Sequence, residues 1–173
     1  MTGAPTWPAE IFAALKAHDV RQVAYVPDAG HTELLRRVHA DPDMTPVLLT
    51  SEEEGIGVVC GAWLGGQRAA LVMQSSGVGN CVNMLSLVKT CQLPLLVLVT
   101  MRGEWGEFNP WQVPMSSATQ ASFEMMGVRV LRAEHPDEVG TTVRHACSMV
   151  YEGATPIAVL LSQRLIGSKE FVK

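Results

Sequence analysis

Charged residues are scarce in this chain of 173 residues: Asp, Glu, Lys and Arg make up 17% of it, against ~25% in an ordinary globular protein. Lys and Arg total 13 against 17 for Asp and Glu, which gives a net charge of −4. With no basic cluster to track a phosphate backbone, the composition argues against nucleic acid as a main partner. Because 47% of the residues are hydrophobic, few polar side chains remain to cover the surface, and we expect another chain to cover part of it.

Cysteine is sparse and unpatterned, and long apolar runs are missing. The four cysteines lie in apolar surroundings without CxxC spacing, so neither a disulfide framework nor a zinc site is predicted; they are Cys60, Cys81, Cys91 and Cys147. Residues 69–101 carry one charge, Lys89, but polar residues interrupt them well short of the ~18 apolar residues of a membrane helix. Residues 1–10 contain two prolines and no apolar core, unlike a signal peptide. We therefore expect a cytoplasmic protein with reduced, buried thiols.

Helical and strand patterns alternate along the chain, which is typical of βαβ units around a parallel sheet. The predicted strands are 22–26, 47–50, 69–73, 95–100, 128–131 and 156–161. The predicted helices are one after Pro8 and then 32–38, 52–64, about 80–90, 116–126 and 136–152. Strands 69–73 and 95–100 are uninterrupted apolar runs, as in a parallel sheet covered on both faces. The pattern predicts one α/β domain over residues 1–173, with its core at about 8–165 and a doubly wound, mostly parallel six-stranded sheet.

In such a sheet ligands bind at the carboxyl ends of the strands, so the turns that follow the strands are the candidate site. The turn Gln74–Asn80 follows a buried strand, opens a helix and contains two glycines. It lacks the third glycine of a dinucleotide fingerprint and the Gly-Lys-Ser/Thr of a phosphate loop, so neither a nicotinamide cofactor nor a nucleoside triphosphate is predicted. This turn is therefore either a place where a ligand approaches the backbone closely or an ordinary tight turn.

Three consecutive acids, Glu52–Glu54, open the third predicted helix. The helix dipole stabilises such acids by ~0.3–1 kcal/mol each, and this alone is one explanation for them. Glu52 differs from the other two because it lies in line with the apolar residues Ile56, Val59, Cys60 and Trp63. A carboxylate on a buried stripe costs several kcal/mol unless something pairs with it. Glu52 is therefore a candidate functional residue.

Together these elements resemble the pyrimidine-binding domain of thiamine diphosphate enzymes. The resemblance rests on Ser-Glu after a strand, Gly61 nine residues after Glu52, a further strand and then Ser-Gly-x-Gly-Asn. Within that family, residues 74–83 and 101–112 are similar to the alpha subunit of sulfopyruvate decarboxylase and to the matching half of phosphonopyruvate decarboxylase. The similarity runs from about Ile11 to Leu161.

The resemblance implies that Glu52 is catalytic and hydrogen-bonds N1′ of the aminopyrimidine ring. A carboxylic acid there favours the imino form of the ring, whose 4′-nitrogen removes the thiazolium C2 proton, and the cofactor holds the electrons left when CO2 departs. Burial of Glu52 would raise its proton affinity. The cofactor-binding residues that the resemblance implies are Glu52, Ser75, Ser76, Gly77, Val78, Gly79 and Asn80.

The diphosphate half of that site has no counterpart in this chain. Members of the family bind the diphosphate through Mg2+ held by a Gly-Asp-Gly motif, and no Gly-Asp-Gly occurs among the 173 residues. The resemblance therefore implies a hetero-oligomer in which a separate beta subunit carries Gly-Asp-Gly and holds the metal. On this interpretation the present chain supplies no metal ligand.

Candidate substrate residues follow the first and fourth strands: Ala29, Gly30, His31, Arg102 and Gln112. His31 is the polar candidate of the first loop, with a helix-start or surface role as the alternative. Arg102 can bind a carboxylate or sulfonate bidentately, with a salt bridge to Glu104 or Glu107 as the alternative. Gln112 stands where some relatives carry His. The aromatic residues of the loop 103–115 predict a pocket wall, a subunit interface or a cover over the core; they are Trp105, Phe108 and Trp111.

The resemblance thus implies the alpha subunit of a heteromeric thiamine diphosphate and Mg2+ dependent 2-oxo acid decarboxylase. The expected reaction converts 3-sulfopyruvate to sulfoacetaldehyde and CO2. Phosphonopyruvate and an aryl or alkyl 2-oxo acid are the alternative substrates. A non-catalytic α/β assembly subunit is the alternative of a different class.

Overall fold

A six-stranded parallel sheet organises residues 6–167, the part of the chain that the computed structural model describes. Its strands are β1 Val20–Tyr25, β2 Thr45–Leu48, β3 Arg68–Gln74, β4 Leu96–Thr100, β5 Arg129–Ala133 and β6 Ile157–Leu161. The α-helices are α1 Trp7–Ala17, α2 Thr32–Ala40, α3 Glu52–Leu64, α4 Val78–Cys81, α5 Leu85–Cys91, α6 Gln112–Met125, α7 Pro136–Tyr151 and α8 Gln163–Ile166. The strand order is β2-β1-β3-β4-β6-β5, and each neighbouring pair is parallel. The predicted α/β fold with a parallel sheet is confirmed.

Successive strand side chains point to opposite faces of the sheet, and helices cover both faces. Val72 and Leu98 belong to an apolar cluster with α1, α2 and α7. Leu71 and Val97 belong to a second cluster with α3, α5 and α6. The layers are thus helix, sheet and helix, as predicted, and the carboxyl ends of the strands form a rim from which the connecting turns leave.

The helices that differ most from the prediction are those at about 80–90 and at 116–126. The helix expected at about 80–90 is divided into α4 and α5, and short-range hydrogen bonds carry the chain through the turn between them (Ser86 N to Asn83 O at 3.1 Å and Leu87 N to Met84 O at 3.0 Å). Helix α6 begins at Gln112 rather than at residue 116. Its early start is compatible with Pro114, because the first turn of a helix needs no partner for its backbone N–H groups.

All four cysteines are free, but their burial was predicted correctly for only three of them. Burial raises the pKa of Cys81 and of Cys147 to about 12. Cys91 is exposed, because it is the last residue of α5, where the chain turns through a left-handed residue at Gln92.

Between residues 6 and 167, no helix combines the length and apolar character that crossing a membrane requires.

Candidate active site

The carboxylate of Asp28 joins the carboxyl ends of three adjacent strands. Its Oδ1 accepts a hydrogen bond from Gln74 Nε2 at 2.9 Å, at the end of β3. Its Oδ2 accepts from Thr100 Oγ1 at 2.5 Å, at the end of β4, and from the backbone N–H of Gly30 at 3.1 Å. A Cβ at Gly30 would lie 2.8 Å from Thr100 Cγ2, so glycine permits this close approach. Asp28 is therefore held rigidly at the rim, half-buried.

The candidates predicted from this turn were Ala29, Gly30 and His31, and Asp28 was not among them. Asp28 could have been identified by its position in the turn after the first strand. That strand lies beside the strand that leads into the glycine-rich turn. Its hydrogen-bonding partners come from residues 46 and 72 positions away, and no local pattern shows them.

Glu52 and the glycine-rich turn are in direct contact. Asn80 Nδ2 donates to Glu52 Oε2 at 3.0 Å. The Glu52 carboxyl group also lies directly over Gly77, where any Cβ would overlap it. The expectation of full burial is wrong, since Glu52 is half-buried: it is the first residue of α3 and stands at the open rim. Glu53 and Glu54 are exposed, and Glu54 Oε2 accepts from Thr50 N at 2.8 Å, which stabilises the start of its own helix.

Asp28 and Glu52 face one cleft of about 170 Å³. The cleft is lined by Val26, Pro27, Asp28, Glu52, Gln74 and Ser76. Ser76 Oγ donates to Gln74 Oε1 at 2.8 Å, so the amide of Gln74 bridges the serine and Asp28. Two carboxylates and two neutral polar groups therefore surround a small space at the strand ends.

A wider groove of about 900 Å³ adjoins this cleft at Ser76. It is lined by Ser76, Gly79, Asn80, Pro110, Trp111, Pro114 and Met115. Trp111 is 83% exposed, although it is one of the largest apolar side chains of the chain. A Cβ at Gly79 would lie 2.9 Å from Met115 Sδ. Among the described residues, the lining of the cleft and the groove includes no lysine, arginine or histidine.

Two of the predicted cofactor residues in the turn have buried side chains. Ser75 Oγ accepts from the backbone N–H of Arg102 at 3.1 Å, and the Val78 side chain belongs to the core. Both residues are 0% exposed as a whole, so neither presents surface to a ligand. Ser76, Gly79 and Asn80 line the cleft or the groove, whereas Gly77 provides the space that the Glu52 carboxyl group occupies.

His31 lies beneath the rim and is 1% exposed. Burial lowers the pKa of its imidazole, and the nearby Asp28 carboxylate and the carbonyls of Met73 and Leu98 offset this only in part. Among the described residues, neither ring nitrogen completes a hydrogen bond. At 1% exposure the imidazole does not reach the cleft, so the structure gives no support to the predicted contact between His31 and the substrate. Ala29 and Gly30, which precede it in a short 3-10 turn, shape the backbone around Asp28.

The guanidinium of Arg102 is occupied by a bidentate salt bridge to Glu107. The Nε–Oε2 and Nη2–Oε1 distances are both 2.7 Å, and the two side chains are 10% and 3% exposed. Hydrogen bonding to Arg102 holds the pKa of Glu107 at about 2. The structure therefore shows the salt bridge that the sequence left as an alternative. Arg102 lines a small cavity with Asp28, Gly30 and Thr100, but its charge is already compensated there.

The aromatic loop after β4 covers little of the core. Gln112 begins α6, and its side-chain carbonyl is buried without a hydrogen-bond partner in the part of the chain that the structure describes. Trp105 and Phe108 are partly exposed, and Trp111 is the most exposed aromatic residue of the loop. Of the three interpretations of this loop, a pocket wall and a subunit interface both fit Trp111, and a cover over the core does not.

Comparison with known proteins identifies relatives over most of the chain. It is 32% identical to the sulfopyruvate decarboxylase subunit alpha of Methanocaldococcus jannaschii, over 87% of this chain and 89% of that protein. It is 35% identical to the subunit of the same name from Methanococcus maripaludis, over 87% and 91%. A phosphonopyruvate decarboxylase of Streptomyces viridochromogenes is 40% identical over 57% of this chain but only 25% of that protein. No protein-family model matches the chain.

Among solved structures, the chain is similar in fold to a 2-oxoglutarate:ferredoxin oxidoreductase from Magnetococcus marinus. The TM-score is 0.73 at 15% identity, over 92% of this chain and 29% of that one, so this likeness concerns the fold alone. The relatives that match along nearly their whole length decide the assignment. The chain belongs to the family of sulfopyruvate decarboxylase alpha subunits.

Proposed function

We propose that this chain is the pyrimidine-binding subunit of a two-subunit, thiamine diphosphate-dependent 2-oxo acid decarboxylase that converts 3-sulfopyruvate to sulfoacetaldehyde and CO2. The observation that carries the proposal is the placement of Glu52, by Gly77 and Asn80, across a cleft from Asp28. The names of the relatives direct the choice of reaction and substrate. On this proposal residues 1–173 form a single pyrimidine-binding domain of a cytoplasmic enzyme.

The residues at the rim fit the pyrimidine half of the cofactor. The absence of a side chain at Gly77 makes room for the Glu52 carboxyl group at the cleft, and Trp111 and Met115 offer apolar surface to one side. The Glu52 carboxyl group is accessible and held in place, as a group that shares a proton with a ring nitrogen must be. When bound, thiamine diphosphate supplies an electron sink for the electrons left by departing CO2.

The two carboxylates have different tasks in the proposed reaction. Glu52 holds a proton at the ring nitrogen N1′ and orients the ring through its fixed carboxyl group. Asp28, held by Gln74 and Thr100, is placed on the substrate side, where it can hold a proton for the carbon that loses CO2. The side chains that hold Asp28 keep it fixed before the substrate arrives, which is the geometry that favours proton transfer.

The diphosphate half of the cofactor needs a second chain. No Gly-Asp-Gly occurs in the sequence, and no group of three or more His, Cys, Asp or Glu within residues 6–167 is arranged to hold a metal ion. We propose that a beta subunit with Gly-Asp-Gly holds Mg2+ and the diphosphate beside the Ser76–Asn80 turn. The exposed Trp111 is apolar surface of the kind that a stable subunit interface covers.

The test of this proposal is the variant Glu52→Gln in the complex reconstituted with the beta subunit. An amide preserves the shape of the side chain but cannot exchange the proton, so most activity should be lost while thiamine diphosphate still binds. Exchange of the cofactor C2 proton in deuterated buffer, followed by NMR, should slow with it. The matched controls Glu53→Gln and Glu54→Gln alter exposed acids of the same helix and should have modest effects. Wild-type C2 exchange in Glu52→Gln would overturn the assignment.

Two other substrates have an observation in their favour. Phosphonopyruvate is favoured by the similarity to phosphonopyruvate decarboxylase over 100 residues, and an aryl 2-oxo acid by the apolar groove at Trp111. The ranking of kcat/KM for 3-sulfopyruvate, phosphonopyruvate and benzoylformate decides between them. A non-catalytic assembly subunit would release CO2 from none of these with any partner.

A further inference from the structure

A buried polar network fastens the loop of residues 102–109 to the rim of the sheet. We propose that Gln163 is a positioning residue that, through Glu107 and Arg102, holds this loop as the wall beside Asp28 and thereby sets substrate affinity. This inference rests on the proposed function for the identity of the ligand. The network itself consists of contacts within this chain.

Both the oxygen and the nitrogen of the Gln163 side-chain amide form hydrogen bonds to the loop of residues 102–109. It is the first residue of α8, two positions after the end of β6, and is 1% exposed. Its Oε1 accepts from the backbone N–H groups of Glu104 at 2.8 Å and Trp105 at 3.0 Å. Its Nε2 donates to Glu107 Oε2 at 3.0 Å. Among side chains of this size and shape, the amide both accepts and donates at neutral pH, whereas the carboxylate of Glu has no donor and the aliphatic side chain of Leu has neither function.

Glu107 links Gln163 to Arg102, because its carboxylate accepts hydrogen bonds from both side chains. Besides the bidentate bond from Arg102, it accepts from the backbone N–H groups of Gly103 at 3.1 Å and Asn109 at 3.0 Å. The loop has no regular secondary structure between β4 and α6, so these N–H groups depend on side chains for their hydrogen bonds. Loss of the Gln163 amide would leave a buried carboxylate and two backbone donors partly unsatisfied, which favours a displaced loop.

The loop lies next to Asp28, which the proposed function assigns to the substrate, and it does not line the cleft beside Glu52. Arg102 lines the small cavity that also contains Asp28 and Thr100, and its backbone N–H is bonded to Ser75. Glu52, in contrast, is placed by Gly77 and Asn80. A displaced loop should therefore weaken substrate binding more than it alters the proton transfer at the cofactor.

The first test uses the chain alone and does not depend on activity. In Gln163→Leu, amide hydrogen exchange at Glu104 and Trp105 should accelerate ~10-fold or more, because each loses its acceptor. Exchange in β3 and β4 should not change. The control Gln120→Leu removes an exposed glutamine that bonds only Glu124 and should leave the loop unaffected. Unchanged exchange at both loop amides in Gln163→Leu would overturn the inference.

The second test uses Gln163→Glu in the reconstituted complex. The introduced carboxylate would face Glu107 without a donor, so KM for 3-sulfopyruvate should rise ~10-fold at neutral pH. It should recover as the pH falls and the new group becomes protonated and donates again. Cofactor affinity and kcat should stay within about twofold of wild type. Gln120→Glu should show no such pH dependence.

The outcomes separate this inference from the proposed function. A KM that is unaffected and independent of pH, or a parallel loss of kcat and cofactor affinity, would overturn the positioning role. A wild-type complex that releases no CO2 would overturn the proposed function and with it the effect on substrate affinity. The exchange measurement would then still decide whether Gln163 holds the loop.

Discussion

A methyl group at position 77 should disable the site without unfolding the chain. In Gly77→Ala the new Cβ would overlap the carboxyl group of Glu52. Gly77 has φ −80 and ψ −14, a conformation that alanine adopts readily, so the change introduces no backbone strain. The effect must therefore come from the displacement of Glu52 or of the turn.

The magnitude follows from the contacts that Glu52 would lose. If its side chain rotates away, the hydrogen bond from Asn80 is broken, and a hydrogen bond to a charged group is worth ~1.5–3 kcal/mol. The carboxyl group would also leave the position from which it contacts the cofactor. We expect kcat to fall ~10 to 150-fold, the rate equivalent of about 1.4–3 kcal/mol.

The assay compares kcat of the reconstituted complex with thermal unfolding of the isolated chain. Gly77→Ala should lower kcat while Tm stays within a few degrees of wild type. The control Gly65→Ala lies at the end of α3, where a Cβ would be 3.4 Å from its nearest neighbours, and should retain both. A Gly77→Ala enzyme with wild-type kcat would refute the argument, because Glu52 would then tolerate displacement.

Further predictions concern buried charge and the exposed loop. Arg102→Ala leaves the nearly buried carboxylate of Glu107 unpaired, so the chain should be destabilised by ~3–5 kcal/mol in denaturant unfolding. Because Glu107 already compensates the charge of Arg102, kcat/KM for 3-sulfopyruvate and for pyruvate should fall equally; a loss confined to 3-sulfopyruvate would contradict this. Burial lowers the pKa of His31 below its ordinary 6.5, so unfolding binds protons and stability should decline as pH falls below about 6.5. A plot of Tm against pH for His31→Leu should lack this decline. Trp111→Ala should leave Tm of the isolated chain unchanged but weaken association with the beta subunit, measured by titration calorimetry.

The parts of the fold that the sequence predicts well are those set by short-range pattern. The apolar runs at β3 and β4 and the bounds of α3 follow from local periodicity, and the structure reproduces them. The turn that begins with Ser51 and Glu52 and the glycine-rich turn were both predicted to lie at the carboxyl edge of the sheet, because ligands bind at that edge in parallel sheets.

The parts that sequence reasoning missed depend on tertiary contacts. The two side chains that hold Asp28 come from the ends of β3 and β4, and Gln163 is recognised only by its contacts to a loop 56 to 59 positions earlier in the chain. For Arg102 the salt bridge and the substrate contact were both chemically reasonable. The salt-bridge partner is only five positions away, but the spacing alone does not decide whether Arg102 binds a ligand, Glu104 or Glu107.

The most direct test of the central claim is CO2 release from 3-sulfopyruvate, with thiamine diphosphate and Mg2+ present. The assay compares this chain alone, its beta subunit alone and the two together. We expect activity only from the mixture, because this chain supplies Glu52 and Asp28 while the partner supplies the diphosphate anchor. Full activity from this chain without a partner would contradict the account, and so would a stable complex of the two chains that releases no CO2 from any 2-oxo acid.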